Sequence, residues 1–345
     1  MERIAFAGND YLGLARDPRV IEALCRAARE FGVSVTSSRW AVGWTELHAE
    51  YERELAGFFG TEDACLLGSA YLGGSAYFEA LAATHRVVYC DASCHANLFL
   101  GMRGAGFEVH TFRHLDSGDL RAQLACHSGP PPVIATDGVY GISGEVAPLD
   151  ELRTAARAAE AELFIDDAHG VFVLGKNGRG AAEACGVAPG EATVLGSLSK
   201  ALGAHGGFLA GTRKWVEQFR RGAVASSSSH PPACIAAAGR TGLRIVREEP
   251  AHREKMEAHA RRMRAALAQK GLGVVSDRTP IVALVLAGEA EAAALAEHFL
   301  AHGLAIPYFK YASEPRHNLL RAVARACYSE DDLARFERAL NEWRG

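Results

Sequence analysis

VIATD at Val133–Asp137, PLDELRTAARAAE at Pro148–Glu160 and LFIDD at Leu163–Asp167 read in succession as strand, helix and strand. The two apolar runs are short and bounded by turn residues, and the segment between them carries its apolar positions at helical spacing. A repeat of about 30 residues per strand-helix unit is what a βαβ crossover needs, so the spacing predicts a largely parallel sheet with both faces covered. Working outward, CLLGS (Cys65–Ser69), RVVYCD (Arg86–Asp91) and TVLGS (Thr193–Ser197) are further runs of the buried-strand type. Helical patterns cover Pro18–Phe31, with Val20, Ile21, Leu24, Ala27 and Ala28 on one face, and also Ala49–Phe59 and Ser75–His85. The expectation is an α/β domain over residues 40–245.

Past that point the pattern changes. A long Arg-, Glu- and Ala-rich helix over Ile245–Gln269 precedes the strand run IVALVLAG, a helix over Glu289–His302, AIPYFKY, LLRAVARAC and a last helix from Glu330. This alternation suits a smaller α+β domain at residues 246–345, with residues 1–39 as a segment packing on it. No internal repeat, low-complexity tract or long charge block interrupts the chain.

Composition narrows the function classes. The 345 residues are 49% apolar and 23% charged with 12 prolines, average values for a globular chain and unlike a disordered or collagen-like one. A net charge of −4 is too weak to steer polyanions, so nucleic acid and acidic membranes are not expected partners. MERIAFAGNDYLGL has neither the basic start nor the apolar stretch of a secretory leader, and no apolar run approaches the roughly 18 residues of a membrane span, so a cytoplasmic protein is expected. Eight cysteines without a CxxC pair are expected as reduced, mostly buried thiols.

Chemistry concentrates at two strand ends. GSLSKALGAHGG sets Lys200 just after TVLGS, where strand C-termini in open α/β sheets meet a ligand crevice. Only six lysines stand among the 37 basic residues. A lysine set among Ser197, Ser199 and glycines, with Leu198 and Leu202 beside it, can lose solvation, which lowers its pKa from about 10.4 and frees an amine for attack on a carbonyl. The competing reading is a surface lysine in a Gly/Ser loop. A phosphate loop fits badly, because GSLSK lacks the GxxxxGK[ST] spacing.

LFIDDAHG ends its strand on Asp166, Asp167 and His169. Successive strand residues face opposite ways, so only one of the two acids can enter a shared crevice. A buried carboxylate there could keep a heteroaromatic nitrogen protonated, and a histidine three residues on could touch the same ring. A metal pair or a structural Asp-His bond are the alternatives, and a metal would need a third ligand that is not evident nearby. An amine and an acid on neighbouring strands are what an aldehyde cofactor with a pyridine ring requires, which makes pyridoxal 5′-phosphate (PLP) the economical hypothesis and a metal cofactor unnecessary. GSAYLGGSAYF (Gly68–Phe78) adds a Gly/Ser turn feeding a helix N-terminus, a place that favours phosphate.

These residues resemble the α-oxoamine synthases, fold-type-I PLP-dependent enzymes that join an amino acid to an acyl thioester with loss of CO₂. The likeness runs from NDYLGL through TSSRWAVGWTELH, CDASCHANL, DGVYGISGEVAPLDEL, IDDAHG, SLSKALG and SSSHPPA to LLRAVARACYS. It implies an α/β fold with a mainly parallel seven-stranded sheet in the large domain, beside a small C-terminal α+β domain. By the same resemblance Lys200 bonds the cofactor aldehyde, Asp166 faces the pyridine nitrogen, His169 bonds the ring hydroxyl and His95 stacks over the ring. Ala70 and Tyr71 meet the phosphate through their backbone, Ser197 is a nearby hydroxyl, and Ser228 is a phosphate contact lent by a second subunit, which implies a homodimer with shared sites. Asn9 and Arg321 match the clamp for the amino acid's carboxylate, a role that suits a guanidinium fork better than a lysine.

Four positions depart from the family pattern. Gly141 stands where a serine is usual, Ala70 replaces a glycine, and Leu319 and Tyr328 replace an arginine and a histidine. The sequence as given also begins almost at NDYLGL, without the segment that helps enclose the thioester in relatives. The expected function is a PLP-dependent acyltransferase acting on an amino acid and an acyl thioester delivered by coenzyme A or a carrier protein. Transamination, decarboxylation or aldol cleavage on the same fold is the alternative, and a PLP-binding regulator without turnover is a third.

Overall fold

The computed structural model describes residues 3–308 and 318–344 and divides the chain into two compact units. The larger comprises Leu14–Val139 and Ala147–Glu248, and the smaller Met1–Gly13, Tyr140–Val146 and Glu249–Gly345.

In the larger unit seven strands form one sheet: β1 (Asp63–Leu67), β2 (Val87–Asp91), β3 (Glu108–Phe112), β4 (Val133–Asp137), β5 (Glu162–Asp166), β6 (Thr193–Ser197) and β7 (Gly207–Gly211). Their spatial order is β1-β7-β6-β5-β4-β2-β3. Only β7 runs against its neighbours; every other adjacent pair is parallel. The carboxyl ends of β1, β2, β4, β5 and β6 therefore share one edge. Apolar side chains from both faces are sealed beneath helices, with Phe78, Leu98, Phe164, Leu195 and Phe219 fully buried in a single core.

β4 and β6 coincide with the expected runs, and β1, β2 and β5 fall within two residues of theirs. β3 and β7 were not anticipated. EVHTF is an edge strand whose Glu108 and Thr111 stay exposed, so it lacks a continuous apolar signature, and GFLAG opens and closes on glycine and reads as a turn.

Helix α1 (Pro18–Phe31) starts where Asp17 accepts a hydrogen bond from the Arg19 N–H, with Pro18 in its first turn, and stops at Gly32, whose φ is 78°. Its buried face is Val20, Ala23 and Ala27, while Ile21 is exposed. It packs along the helix Ala233–Glu248. Residues 14–39 thereby belong to the larger unit, a correction to the expected grouping of 1–39 with the smaller domain. The boundary also falls at Glu249 rather than 246, because Pro250 breaks the expected long helix into Ala233–Glu248 and Ala251–Gln269.

α2 (Glu46–Phe59) begins at Thr45 and ends on left-handed Gly60. Its Glu52 carboxylate is buried and takes both Arg39 nitrogens at 2.8 Å, Arg220 Nη2 at 3.0 Å and the Leu66 N–H at 2.7 Å. α3 (Gly73–Leu81) and α4 (Ala96–Gly104) touch backbone to backbone through Gly74 and Gly101.

The smaller unit holds a three-stranded antiparallel sheet, Leu319–Val323 beside Ile281–Val285 beside Gly273–Val274, and a parallel pair of Ile4–Ala5 with Leu304–Ala305. Helices Ala251–Gln269, Glu289–Ala301 and Glu330–Glu342 cover it around a core that includes Met263, Leu284, Phe299 and Phe336. The end of the expected AIPYFKY segment lies outside the described residues. No helix among the described residues is long and apolar enough to cross a membrane.

A Cβ on Gly101 would stand 2.5 Å from the Gly74 carbonyl carbon, against backbone that cannot rotate away. Gly101→Ala is expected to destabilise the protein by about 2 kcal/mol or more. Gly104→Ala on the same helix meets open space and should leave stability unchanged or slightly higher, by at most about 1 kcal/mol. Paired urea or thermal unfolding curves check both.

Candidate active site

Five strand ends place side chains on the shared edge of the large sheet. Asp91, Asp137 and Asp166 close β2, β4 and β5, Ser197 closes β6, and the turn Ala70–Leu72 follows β1. All three acids are buried. Asp91 is consumed structurally, accepting from Ser93 N, Leu115 N and His114 Nδ1 at 2.8 to 2.9 Å.

Asp137 and Asp166 are register partners across the β4–β5 ladder. Burial, followed by the charge of Asp166, pushes the Asp137 carboxyl well above the usual carboxylate range. Its Oδ1 accepts from the His95 backbone N–H at 3.1 Å, which fixes the loop entering α4. Asp166 accepts from Asn97 Nδ2 at 3.2 Å and from the Ala168 N–H at 3.2 Å. Asn97 also lies 2.8 Å from His95 Nδ1 through its Oδ1. The His95 ring meets the exposed Tyr71 ring edge-on at 6.1 Å.

Asp167 turns the other way, as strand alternation requires. Its Oδ2 accepts from the Ala181 N–H at 2.7 Å, while Oδ1 has no hydrogen-bond partner among the described residues. Burial raises its pKa strongly, and Gly138, Gly170 and Gly180 wall it in so closely that a Cβ on any of them would lie within 2.4 Å of the carboxylate.

Lys200 sits half-buried on the tight turn after β6, where Gly203 N–H donates to the Lys200 carbonyl and Leu198 N–H to Gly206. Its ammonium acts on the buried Asp137 and Asp167, lowering both pKa values against the larger effect of burial. Ser197 is buried and accepts from the Ser199 N–H at 3.3 Å. His169 is half-buried on the turn after β5.

At the phosphate-like turn, Ser69 Oγ accepts from the Tyr71 N–H at 3.2 Å, and Gly207 allows β7 to press against Ala70, its Cβ position being 2.4 Å from the Ala70 Cα. Ser228 caps the short helix Ala223–Ser227 and donates its hydroxyl to the Val224 carbonyl.

In the smaller unit Arg321 is buried on the strand Leu319–Val323. Its Nε donates to the Gly141 carbonyl at 2.6 Å and its Nη2 to Asn9 Oδ1 at 3.0 Å. Tyr11, whose hydroxyl burial pushes up to about 12, lies 3.5 Å from the same Asn9 oxygen. No acidic side chain among the described residues pairs with Arg321, so a permanently charged fork is held by neutral oxygens. Leu319 and Tyr328 are buried in this unit's core, the Tyr328 hydroxyl lying 2.9 and 3.0 Å from the carbonyls of Ala5 and Val323.

The structure thus gathers Lys200, Asp166, His169, His95, Ser197, Ala70 and Tyr71 on strand ends and the turns after them at one edge of one sheet, and pairs Asn9 with Arg321 in the smaller unit. Asn97 and Asp137 were not singled out from the sequence. The legible signals were an amide two residues after His95 in CHAN and an acid closing VIATD at the same strand level as Asp166.

A donor set of one amine, one buried acid, hydroxyls and a glycine-lined helix N-terminus suits a phosphorylated aldehyde ring. The sheet is that of a fold-type-I PLP-dependent transferase. A family model described as aminotransferase class I and II matches residues 2–340. The 8-amino-7-oxononanoate synthase of Methylococcus capsulatus is 39% identical over 84% of this chain and 76% of its own length, and that of Saccharophagus degradans is 34% identical over 99% and 87%. Among solved structures, serine palmitoyltransferase of Sphingomonas wittichii superposes with a TM-score of 0.92 at 28% identity, covering 98% of this chain and 87% of that one. The same enzyme from S. paucimobilis, with PLP-myriocin aldimine bound, matches equally well. The chain belongs to the aminotransferase class I and II family, in its α-oxoamine synthase branch, and uses PLP.

One buried histidine close to Ser228 responds to acid. His230 packs edge-on against Trp44 at 5.1 Å, and burial, reinforced by Arg39 and His48, lowers its pKa to about 4. An unfolded histidine titrates near 6.5, so the stability its neutral form contributes is complete above about pH 6.5 and is lost as pH falls toward 4, by about 3 kcal/mol. His230→Gln removes this titration, so the wild-type-minus-variant difference in unfolding free energy should fall by about 2 kcal/mol between pH 7 and 4.5.

Proposed function

We propose that this chain condenses L-alanine with a heptanedioyl thioester, releasing CO₂ and the free thiol, through Lys200, Asp166, His95 and Arg321. The reaction class, decarboxylative joining of an amino acid to an acyl thioester, is that of the family. The particular substrates follow from the relatives' product name: cutting 8-amino-7-oxononanoate at the bond its formation would make leaves a two-carbon aminoethyl piece and a seven-carbon diacid acyl group. The observation that carries the residue assignment is the buried Asp166 at the end of β5, met by two N–H donors.

Bound PLP supplies an aldehyde to join the amino acid and a ring that draws electrons from Cα. Asp166 holds the proton on the ring nitrogen, which keeps that ring electron-poor. Lys200 is the amine that removes the Cα proton and returns it, its place on a glycine-flanked turn letting the side chain move between two partners. His95 covers the ring face and His169 takes the ring hydroxyl. The turn Ser69–Leu72 with the N-terminus of α3, together with Ser197, holds the phosphate. Arg321, steadied by Asn9 and the Gly141 carbonyl, takes the substrate carboxylate through its remaining N–H donors.

The working form proposed is a homodimer in the cytoplasm. Val33, Trp40 and Val42, exposed at 77%, 61% and 83% on one segment before α2, are apolar surface that a second copy would cover, and Ser228 would reach that copy's phosphate. The cysteines are not paired in disulfides, in keeping with a reducing compartment.

Incubating PLP-loaded protein with L-alanine and heptanedioyl thioesters, and in parallel with serine and palmitoyl thioester, should release thiol and CO₂ in equal amounts with the first pair. Conversion of a single amino acid without thiol release would replace this reading by transamination, decarboxylation or aldol cleavage. Lys200→Ala should lower turnover by about a thousandfold or more.

A further inference from the structure

Asn97 is 97% buried and touches two of the residues assigned above. Its Nδ2 lies 3.2 Å from Asp166 Oδ2 and its Oδ1 2.8 Å from His95 Nδ1. A carboxylate oxygen only accepts, so the amide must turn its NH₂ toward Asp166, and the carbonyl oxygen is then the atom facing the imidazole. Two acceptors 2.8 Å apart repel unless a proton lies between them, so His95 must carry a hydrogen on Nδ1. The Asn97 backbone N–H also lies 3.3 Å from Nδ1 and would be satisfied by the opposite tautomer. These two contacts compete, and the Asp166 charge decides between them by fixing which end of the amide faces the ring.

We propose that Asn97 is a positioning residue that couples the cofactor's acid to the histidine over its ring, locking His95 as the Nδ1–H tautomer with its Nε2 lone pair free. Neutral His95 then offers an acceptor, and only an acceptor, at Nε2, the ring nitrogen turned away from Asn97. Asp137 supports the same arrangement from the backbone side by holding the His95 N–H, so ring rotation and tautomer are fixed by two different neighbours. Sequence spacing places the amide where it can do this: His95 is the residue before α4 and Asn97 its second residue, so both lie in the first turn beside the end of β5.

This inference rests on the reading of Asp166 and His95 as cofactor-facing residues, and the variants separate the two. Histidine-labelled ¹⁵N protein, with His95 assigned by comparison with His95→Gln, reports the tautomer directly without turnover. Wild type should show Nδ1–H. Asn97→Ala should shift His95 toward Nε2–H, weaken PLP binding about tenfold in equilibrium dialysis, and lower kcat about tenfold while KM for the amino acid stays within about twofold. Asn97→Asp keeps an acceptor on Nδ1 but sets oxygen against Asp166, so it should retain Nδ1–H and still lose PLP affinity; it carries the test alone if the alanine variant does not fold. An Asn97→Ala protein with Nδ1–H intact and PLP affinity within twofold of wild type, or an Asn97→Asp protein with unchanged PLP affinity, overturns the proposal. Asp166→Ala tells the two failures apart: if it leaves PLP affinity unchanged the site reading itself falls, and if it weakens binding about a hundredfold while the Asn97 variants behave as wild type, only this inference falls.

Discussion

An acid at the buried end of a parallel strand is the constraint around which the large unit is arranged. Removing a carboxylate from water costs several kcal/mol unless donors replace the solvent, and a second acid one strand away raises that cost. Asp166 and Asp137 stand in this relation on β5 and β4. Asp166 receives a side-chain and a backbone N–H donor, Asp137 the backbone N–H of His95, and burial together with the charge of Asp166 raises the pKa of Asp137. Lys200, on the next strand's turn, supplies positive charge to the same pocket of field.

The same logic explains what could be read from the amino-acid sequence. β4, β5 and β6 lie in the middle of the sheet, are buried on both faces and so appear as unbroken apolar runs; their strand ends carried the chemistry and were legible with them. β3 forms an edge with polar Glu108, His110 and Thr111 among its five residues, and β7 is held between partners by backbone hydrogen bonds with glycine at both ends, so neither left a pattern of its own. The two-unit boundary was legible only approximately, because α1 looks like any amphipathic helix until its partner, Ala233–Glu248, is in place. Asn97 and Asp137 stayed hidden for a different reason: their significance lies in contacts between segments some forty and seventy residues apart, which spacing cannot express.

The residues proposed for cofactor and for substrate fall on different parts of the chain. The amine, acid and phosphate turn all belong to the large unit, whereas the buried guanidinium of Arg321 and its Asn9 and Gly141 neighbours belong to the small one. Gly141 departs from the usual serine of the family, and what it offers here is a carbonyl oxygen to Arg321, a contact indifferent to the side chain. A serine at this position could make the same backbone contact, so the Arg321–Gly141 hydrogen bond does not depend on which of the two stands there.

The glycine wall around Asp167 carries a consequence for how this corner of the protein can change over time. Glycines on two connections, Gly138 after β4 and Gly170 and Gly180 after β5, leave room for one carboxylate, which in return anchors the start of the helix at Ala181. Enlarging any one glycine evicts the acid, and losing the acid leaves a hole that three larger residues could fill only together. The four positions are therefore coupled sterically, so that a larger residue at any one of the glycines collides with the acid.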